Sequence, residues 1–125
     1  MKFYKCATCG KIIVMINEKQ VPTTCCGQKM HIIEPQEAEM ATEKHVPVIE
    51  KNGNQVKVYV GSTEHPMTEK HYIQWIIIET NQGFYKKDLA IDSKPEAYFG
   101  IVEGEEITAA YEYCNIHGLW MNKIK

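Results

Sequence analysis

The sequence contains no arginine: all fourteen basic side chains are lysine. The guanidinium fork that grips phosphates and guanine edges at two points is therefore missing. Sixteen acidic residues bring the formal net charge to −2, so no electrostatic footprint for DNA or RNA is present. Also absent is any apolar run approaching the roughly 20 residues of a membrane span. The opening Met1-Lys2-Phe3-Tyr4-Lys5-Cys6 has no signal-peptide apolar region, which predicts a protein that stays in the cytoplasm. Amphipathic helices longer than two turns and internal repeats are lacking too. What remains is ordinary globular composition, 44% hydrophobic and 24% charged over 125 residues, enough for one domain or one domain plus a small module.

Against these absences, five cysteines and five histidines stand out by position. Cys6, Cys9, Cys25 and Cys26 all fall in the first 26 residues, and the next cysteine is Cys114. In a reducing compartment such clustering points to metal or redox chemistry rather than disulfides. Four thiolates satisfy one tetrahedral zinc or iron ion. The C-x2-C half is an ordinary metal knuckle, and a zinc knuckle with a purely structural role is the plain reading. The adjacent pair Cys25-Cys26 is unusual, because neighbouring side chains reach one ion only by distorting the angle between them. With that pair the segment resembles desulforedoxin, whose arrangement holds a single iron. Phe3, Tyr4, Ile12, Val14 and Ile16 alternate as short strands would, Gly10 and Gly27 follow the cysteine pairs as turn residues, and the metal is expected to supply the stability that so small a core cannot. His31, beside Met30 and Ile32, reads as a packing or surface residue.

The stretch Glu34-Pro35-Gln36-Glu37-Ala38-Glu39-Met40-Ala41 is acidic, broken by proline and without an apolar stripe. It reads as a linker, giving a module over 1–36 and a domain over 37–125. In that domain Val56, Val58 and Val60 alternate with polar residues, 71–79 is rich in β-branched and aromatic side chains, and Ile107–Tyr113 forms another such run. Turn signals at 52–54, 61–62, 81–83 and 103–104 separate them. Short strands at this spacing predict an all-β chain whose larger part is an immunoglobulin-like antiparallel β-sandwich.

The remaining donors lie in this second part: His45, His65, His71 and His117, with Cys114 three residues before His117. All fall at strand ends or in loops, where separate strands can bring them together. Singly, each would read as a surface or core residue. The C-x2-H pair argues otherwise, since that spacing places a thiolate and an imidazole on one ion. A cupredoxin-type copper site, with two histidines, the cysteine and Met121, competes for the same residues, but leaves two histidines unused.

Glu-Lys-His-Val-Pro at 43–47, His-Pro-Met at 65–67 with a second histidine at 71, and Cys-Asn-Ile-His-Gly-Leu-Trp at 114–120 together resemble the desulfoferrodoxin family of two-iron superoxide reductases. The resemblance spans the whole chain, including the desulforedoxin-like start. It implies two mononuclear irons, one on Cys6, Cys9, Cys25 and Cys26, the other square-pyramidal, with His45, His65, His71 and His117 equatorial and Cys114 axial. It further implies that Lys44 attracts superoxide, that Glu43 closes the sixth position in the ferric state, that a rubredoxin-type donor restores the ferrous state, and that the chain forms a homodimer. Two rival expectations are a non-catalytic electron-transfer protein with rubredoxin-like and cupredoxin-like sites, and a zinc-stapled binding module.

Overall fold

The structure, a computed structural model, describes residues 1–37, 45–61 and 63–124. Its regular elements are all strands, as the period-2 patterning predicts. Two compact units result, Met1–Glu34 and Pro35–Lys125. Pro35 and Gln36, assigned from sequence to the first module, therefore belong to the second. The physical reason is pairing: the Gln36 amide donates to the Leu119 carbonyl at 2.9 Å, and the Met121 amide donates back to the Gln36 carbonyl at 2.8 Å.

In the first unit β1 (Phe3–Lys5) lies between β2 (Ile12–Val14) and β5 (His31–Ile33), all antiparallel, beside a two-residue hairpin of β3 (Thr24–Cys25) and β4 (Gln28–Lys29). Its apolar interior is small: Phe3, Cys6 and Met30 are buried, while Ile16, expected to continue the strand alternation, is 82% exposed. So little buried area cannot offset the chain entropy of ordering 34 residues, so a second source of stability is needed here.

The second unit stacks a three-stranded sheet, β10-β7-β6, and a four-stranded sheet, β12-β11-β8-β9. Their strands are β6 (Pro47–Asn52), β7 (Gln55–Val60), β8 (Ile73–Thr80), β9 (Gly83–Asp88), β10 (Glu96–Gly100), β11 (Ile107–Cys114) and β12 (Gly118–Lys123). Every ladder is antiparallel. This is the strand count of an immunoglobulin-type sandwich. Val56, Val58 and Val60 of β7 meet Ile73, Ile76 and Ile78 of β8, Phe99 of β10, and Ala110 and Cys114 of β11 in one buried cluster. The β6–β7 hairpin turns through Gly53, whose φ of 64° is open to glycine without strain.

One buried carboxylate ties the loop before β11 to the β8–β9 hairpin. Glu105, 1% exposed, accepts hydrogen bonds from Thr80 Oγ1, Tyr85 Oη and the Val102 amide. The Thr80 bond foremost, helped by Val102 and Tyr85, holds the Glu105 carboxyl below its ordinary 4.5 against the opposing effect of burial. A depressed folded-state pKa contributes stability that is present above the unfolded value and lost as pH falls through the folded one. The expected outcome is that Glu105→Gln lowers the thermal midpoint at pH 7, and that the gap to wild type narrows as pH drops below 4.5. Thermal melts over a pH series check this; a gap that stays constant would exclude the ionised carboxylate as its source.

Candidate metal centres

In the first unit the knuckle forms because the Cys6 amide donates to the Lys11 carbonyl and the Gly10 amide to the Cys6 carbonyl, curling the chain back on itself. The Cys9 amide then points at Cys6 Sγ, 3.5 Å away. The adjacent pair is accommodated by the backbone. Cys26 has φ of 54°, a left-handed conformation that costs a non-glycine residue roughly 1–2 kcal/mol. Successive side chains of an extended strand point to opposite sides, and this local reversal turns Cys26 to the side of Cys25. The sulfurs of Cys25 and Cys26 stand 3.9 Å apart and those of Cys9 and Cys25 3.7 Å apart, with no disulfide between them.

Cys6, Cys9, Cys25 and Cys26 each offer a sulfur, all within 4.8 Å of one another. Their acidities diverge. The Cys9 amide, outweighing desolvation, lowers the Cys6 thiol to about 6, whereas hydrogen bonding to Cys9, then to Cys6, raises Cys25, and hydrogen bonding to Cys9, then to Cys25 and Cys6, pushes Cys26 up to about 12. Four sulfurs this close cannot all ionise without a counter-charge, and a thiophilic cation supplies it. The donor set therefore fits a tetrathiolate metal. Cys9 and Cys26 are exposed while Cys6 is buried, so the centre has an edge facing solvent.

The second unit gathers His45, His65, His71, Cys114 and His117 at one end of the sandwich, again with ligand atoms within 4.8 Å of one another. The imidazoles close a ring: centroid separations are 4.9 Å for His45–His65, 4.7 Å for His65–His71, 5.1 Å for His71–His117 and 4.6 Å for His117–His45. Each plane stands at 68° to 78° to its neighbours. His45 Nε2 and His117 Nδ1 face each other at 3.0 Å. His65 Nδ1 lies 2.7 Å from the Pro66 carbonyl, which can only accept, so Nδ1 carries the proton and Nε2 keeps its lone pair for a metal. Cys114 Sγ approaches His117 Nδ1 at 3.8 Å and receives the His117 amide at 3.4 Å. Four imidazoles and a thiolate suit a transition metal such as iron.

The fold positions these donors unequally. Cys114 is the last residue of β11 and belongs to the apolar core. His45 and His65 are both 2% exposed, and the His45 ring stacks on Trp120 with centroids 4.9 Å apart and planes at 16°. His71 is half-buried and His117 exposed, so the ring opens to solvent on their side. The His117 carbonyl accepts from Trp120 Nε1 at 3.2 Å and from Gln36 Nε2 at 2.9 Å. A side chain on Gly118, whose φ is 86°, would come within ordinary contact of that same Gln36 nitrogen, at 3.5 Å.

All nine sequence-selected ligand candidates thus fall into two clusters. Glu43 and Lys44 lie outside the described residues. Sequence reasoning missed Glu112, which is fully buried on β11 two residues before Cys114, cross-strand from Ile76 and Trp120. Neither of its oxygens has a hydrogen-bond partner among the described residues, and desolvation pushes its carboxyl up to about 9. The signal available was its in-phase spacing with Ala110 and Cys114, obscured by its charge.

The sequence model of the Desulfoferrodoxin family matches residues 37–123. A desulfoferrodoxin homolog of Archaeoglobus fulgidus is 42% identical, the match covering 98% of this chain and 96% of that protein. A superoxide reductase of Pyrococcus abyssi is 35% identical over 66% of this chain and 87% of its own length. Among solved structures, the superoxide reductase from Treponema pallidum superposes with a TM-score of 0.84 at 32% identity, covering 98% of this chain and 97% of that one.

The two clusters share no residue, so their metals should be separable. Cys9→Ser is expected to halve the metal content from two equivalents to one, removing thiolate-to-metal absorption from the first unit and leaving that of the second. Elemental analysis with visible spectroscopy checks this. Loss of both equivalents would show that the centres are interdependent.

Proposed function

Because the chain belongs to the desulfoferrodoxin family, we propose that it is a superoxide reductase with two iron centres, one in each unit. The reaction at the His45–His65–His71–His117–Cys114 centre adds one electron and two protons to superoxide and releases hydrogen peroxide. A ferrous ion in that cage supplies the electron and one open coordination position for a small anion. An external donor of the rubredoxin type then returns the electron.

The observation that carries this reading is the closed ring of four imidazoles with a single thiolate against it. The four imidazoles and the Cys114 sulfur would hold a metal ion between them, and the half-buried His71 and exposed His117 would leave it reachable from solvent on their side. The thiolate raises electron density at the centre, as thiolate ligands do in haem proteins, and the His117 amide donating to its sulfur moderates that charge. A cupredoxin-like site would use two of the histidines and Met121 instead. Met121 is the neighbour of Trp120 on β12, and alternation turns it away from the face on which Trp120 stacks on His45.

Lys44 and Glu43 precede His45 directly, and we assign them opposite tasks. Lys44 draws the anionic substrate toward the open side and favours its bound form. The Glu43 carboxylate occupies the open position after turnover and shields it. The tetrathiolate centre is assigned to a second redox-active iron in the first unit, Met1–Glu34, and catalysis to the second, Pro35–Lys125. The protein acts in the cytoplasm as a homodimer.

Two outcomes test this. Cys114→Ser retains the four imidazoles but should lower superoxide-dependent donor oxidation at least about 100-fold, the upper end of what losing a mere outer partner of a metal site costs. Wild-type turnover in that variant would overturn the mechanism. Lys44→Ile should slow superoxide capture about tenfold at low ionic strength and flatten its salt dependence. Glu43→Ala should leave capture unchanged and alter only the oxidised-state spectrum. Pulse radiolysis across a salt series reads both; equal slowing by the two substitutions would refute the division of roles.

A further inference from the structure

We propose that Asn115 is a positioning residue for the five-donor centre, its side-chain amide setting where His71 stands relative to Cys114 and His117. The inference rests on that cluster being a metal site, and not on which substrate it serves.

The β11–β8 ladder ends irregularly beside the centre. Tyr113 pairs with Trp75, but Cys114 pairs with Ile73, so Gln74 is skipped and the register shifts at the ligand itself. A bulge there disrupts the ladder, which therefore cannot fix the turn beyond Cys114. Asn115 continues the pairing with its side chain. Its Oδ1 accepts from the Tyr72 amide at 2.9 Å, its Nδ2 donates to the Lys70 carbonyl at 3.0 Å, and its own backbone amide donates to the Tyr72 carbonyl at 3.2 Å. The two side-chain bonds grip the peptide groups on both sides of His71, and the backbone bond holds the next one. The other hold on the His71 backbone is local, a reciprocal pair of bonds with Thr68, which closes the loop without orienting it toward Cys114.

The distribution of burial says why such a grip matters. His45 and His65 are locked by packing, at 2% exposure each. His71 and His117 stand on the open side, where no core confines their rings. His117 is held at its carbonyl by Trp120 and Gln36, and Asn115 performs the equivalent service for His71 from within the same turn. The turn joining Cys114 to Gly118 therefore carries two ligands directly and aims a third.

Turn-forming ability does not account for asparagine here. Its usual advantage is tolerance of left-handed backbone, yet among the described residues only Cys26 and Asp92 are non-glycine residues with positive φ. Presenting an acceptor and a donor on two separate atoms of one short side chain is what the position requires; serine has a single polar atom, ionised aspartate has no donor and alanine has neither.

The test uses the full chain, stripped of metal and titrated with Co²⁺ under chelator competition. Thiolate-to-cobalt absorption is followed for both centres, and the thermal midpoint of the metal-free protein is recorded. Asn115→Ala should weaken Co²⁺ binding at the five-donor centre by about 10–100-fold, the usual cost of removing a partner that orients a ligand, and shift its absorption, leaving the four-cysteine centre untouched. Asn115→Asp, which keeps the acceptor for the Tyr72 amide but loses the donation to Lys70, should lie between alanine and wild type. It also decides the matter if the alanine variant does not fold. Wild-type affinity and absorption in a folded variant would overturn the inference, as would equal weakening of both centres alongside a lowered metal-free midpoint. A wild-type chain that takes up one equivalent only would overturn the metal-centre reading and this inference with it.

Discussion

Gathering four imidazoles and a thiolate within 4.8 Å of one another is the constraint on which the larger unit depends. Five polar donors at such proximity repel, desolvate one another and lose side-chain entropy, and none of them gains by it until a cation arrives. The sandwich answers by letting the core run directly into the site. Cys114 is at once the end of β11 and a member of the buried cluster that includes Val58, Ile76 and Ile78. The stiffness of that packed interior, where neighbours are dense and displacement is resisted, is thereby transmitted to the thiolate. Trp120 extends it to His45 by stacking. Pre-organisation weakens outward, and on the open side hydrogen bonds to peptide groups take over from packing.

The first unit solves the opposite problem. With Phe3, Cys6 and Met30 as its buried apolar residues, it has too little interior to hold four sulfurs by packing, so the sulfurs and their cation hold the chain. The left-handed backbone at Cys26 is strain that such a centre can sustain, since the bonds to a metal outweigh a cost of roughly 1–2 kcal/mol. The two units thus reverse the order of cause: in one the fold builds the site, in the other the site builds the fold.

How much of this could be read beforehand depends on the same contrast between donors and packing. Donor residues announce themselves by type and spacing, so all nine ligand candidates were legible, as were β7, β8 and β11, whose β-branched runs are buried. The edge strand β9 was not, because Phe84-Tyr85-Lys86-Lys87 mixes apolar and charged residues as an exposed strand does. Glu112 and Glu105 were hidden for a related reason. A carboxylate in sequence suggests solvent; the register of the ladders turns Glu112 inward, and hydrogen bonds to Thr80, Tyr85 and Val102 draw Glu105 in. Asn115 lay inside the recognised motif but without a role, since its partners, Lys70 and Tyr72, are distant in sequence. The family resemblance located the chemistry; the register explained how it is held.

The pairing of Gln36 with β12 has a consequence for how copies of this chain behave toward each other. A sheet offers hydrogen-bonding groups at its two outermost strands, which invite strands from other molecules. On β9 the run Lys86-Lys87-Asp88 discourages that approach by charge. On β12 the Leu119 carbonyl and the Met121 amide are already taken by Gln36, at the point where the second unit begins. The segment that comes after the four-cysteine unit therefore also acts as a guard strip, closing an edge that would otherwise be a template for uncontrolled aggregation. Excising these few residues would bare the Leu119 carbonyl and the Met121 amide at the sheet edge while leaving all nine ligand candidates in the chain.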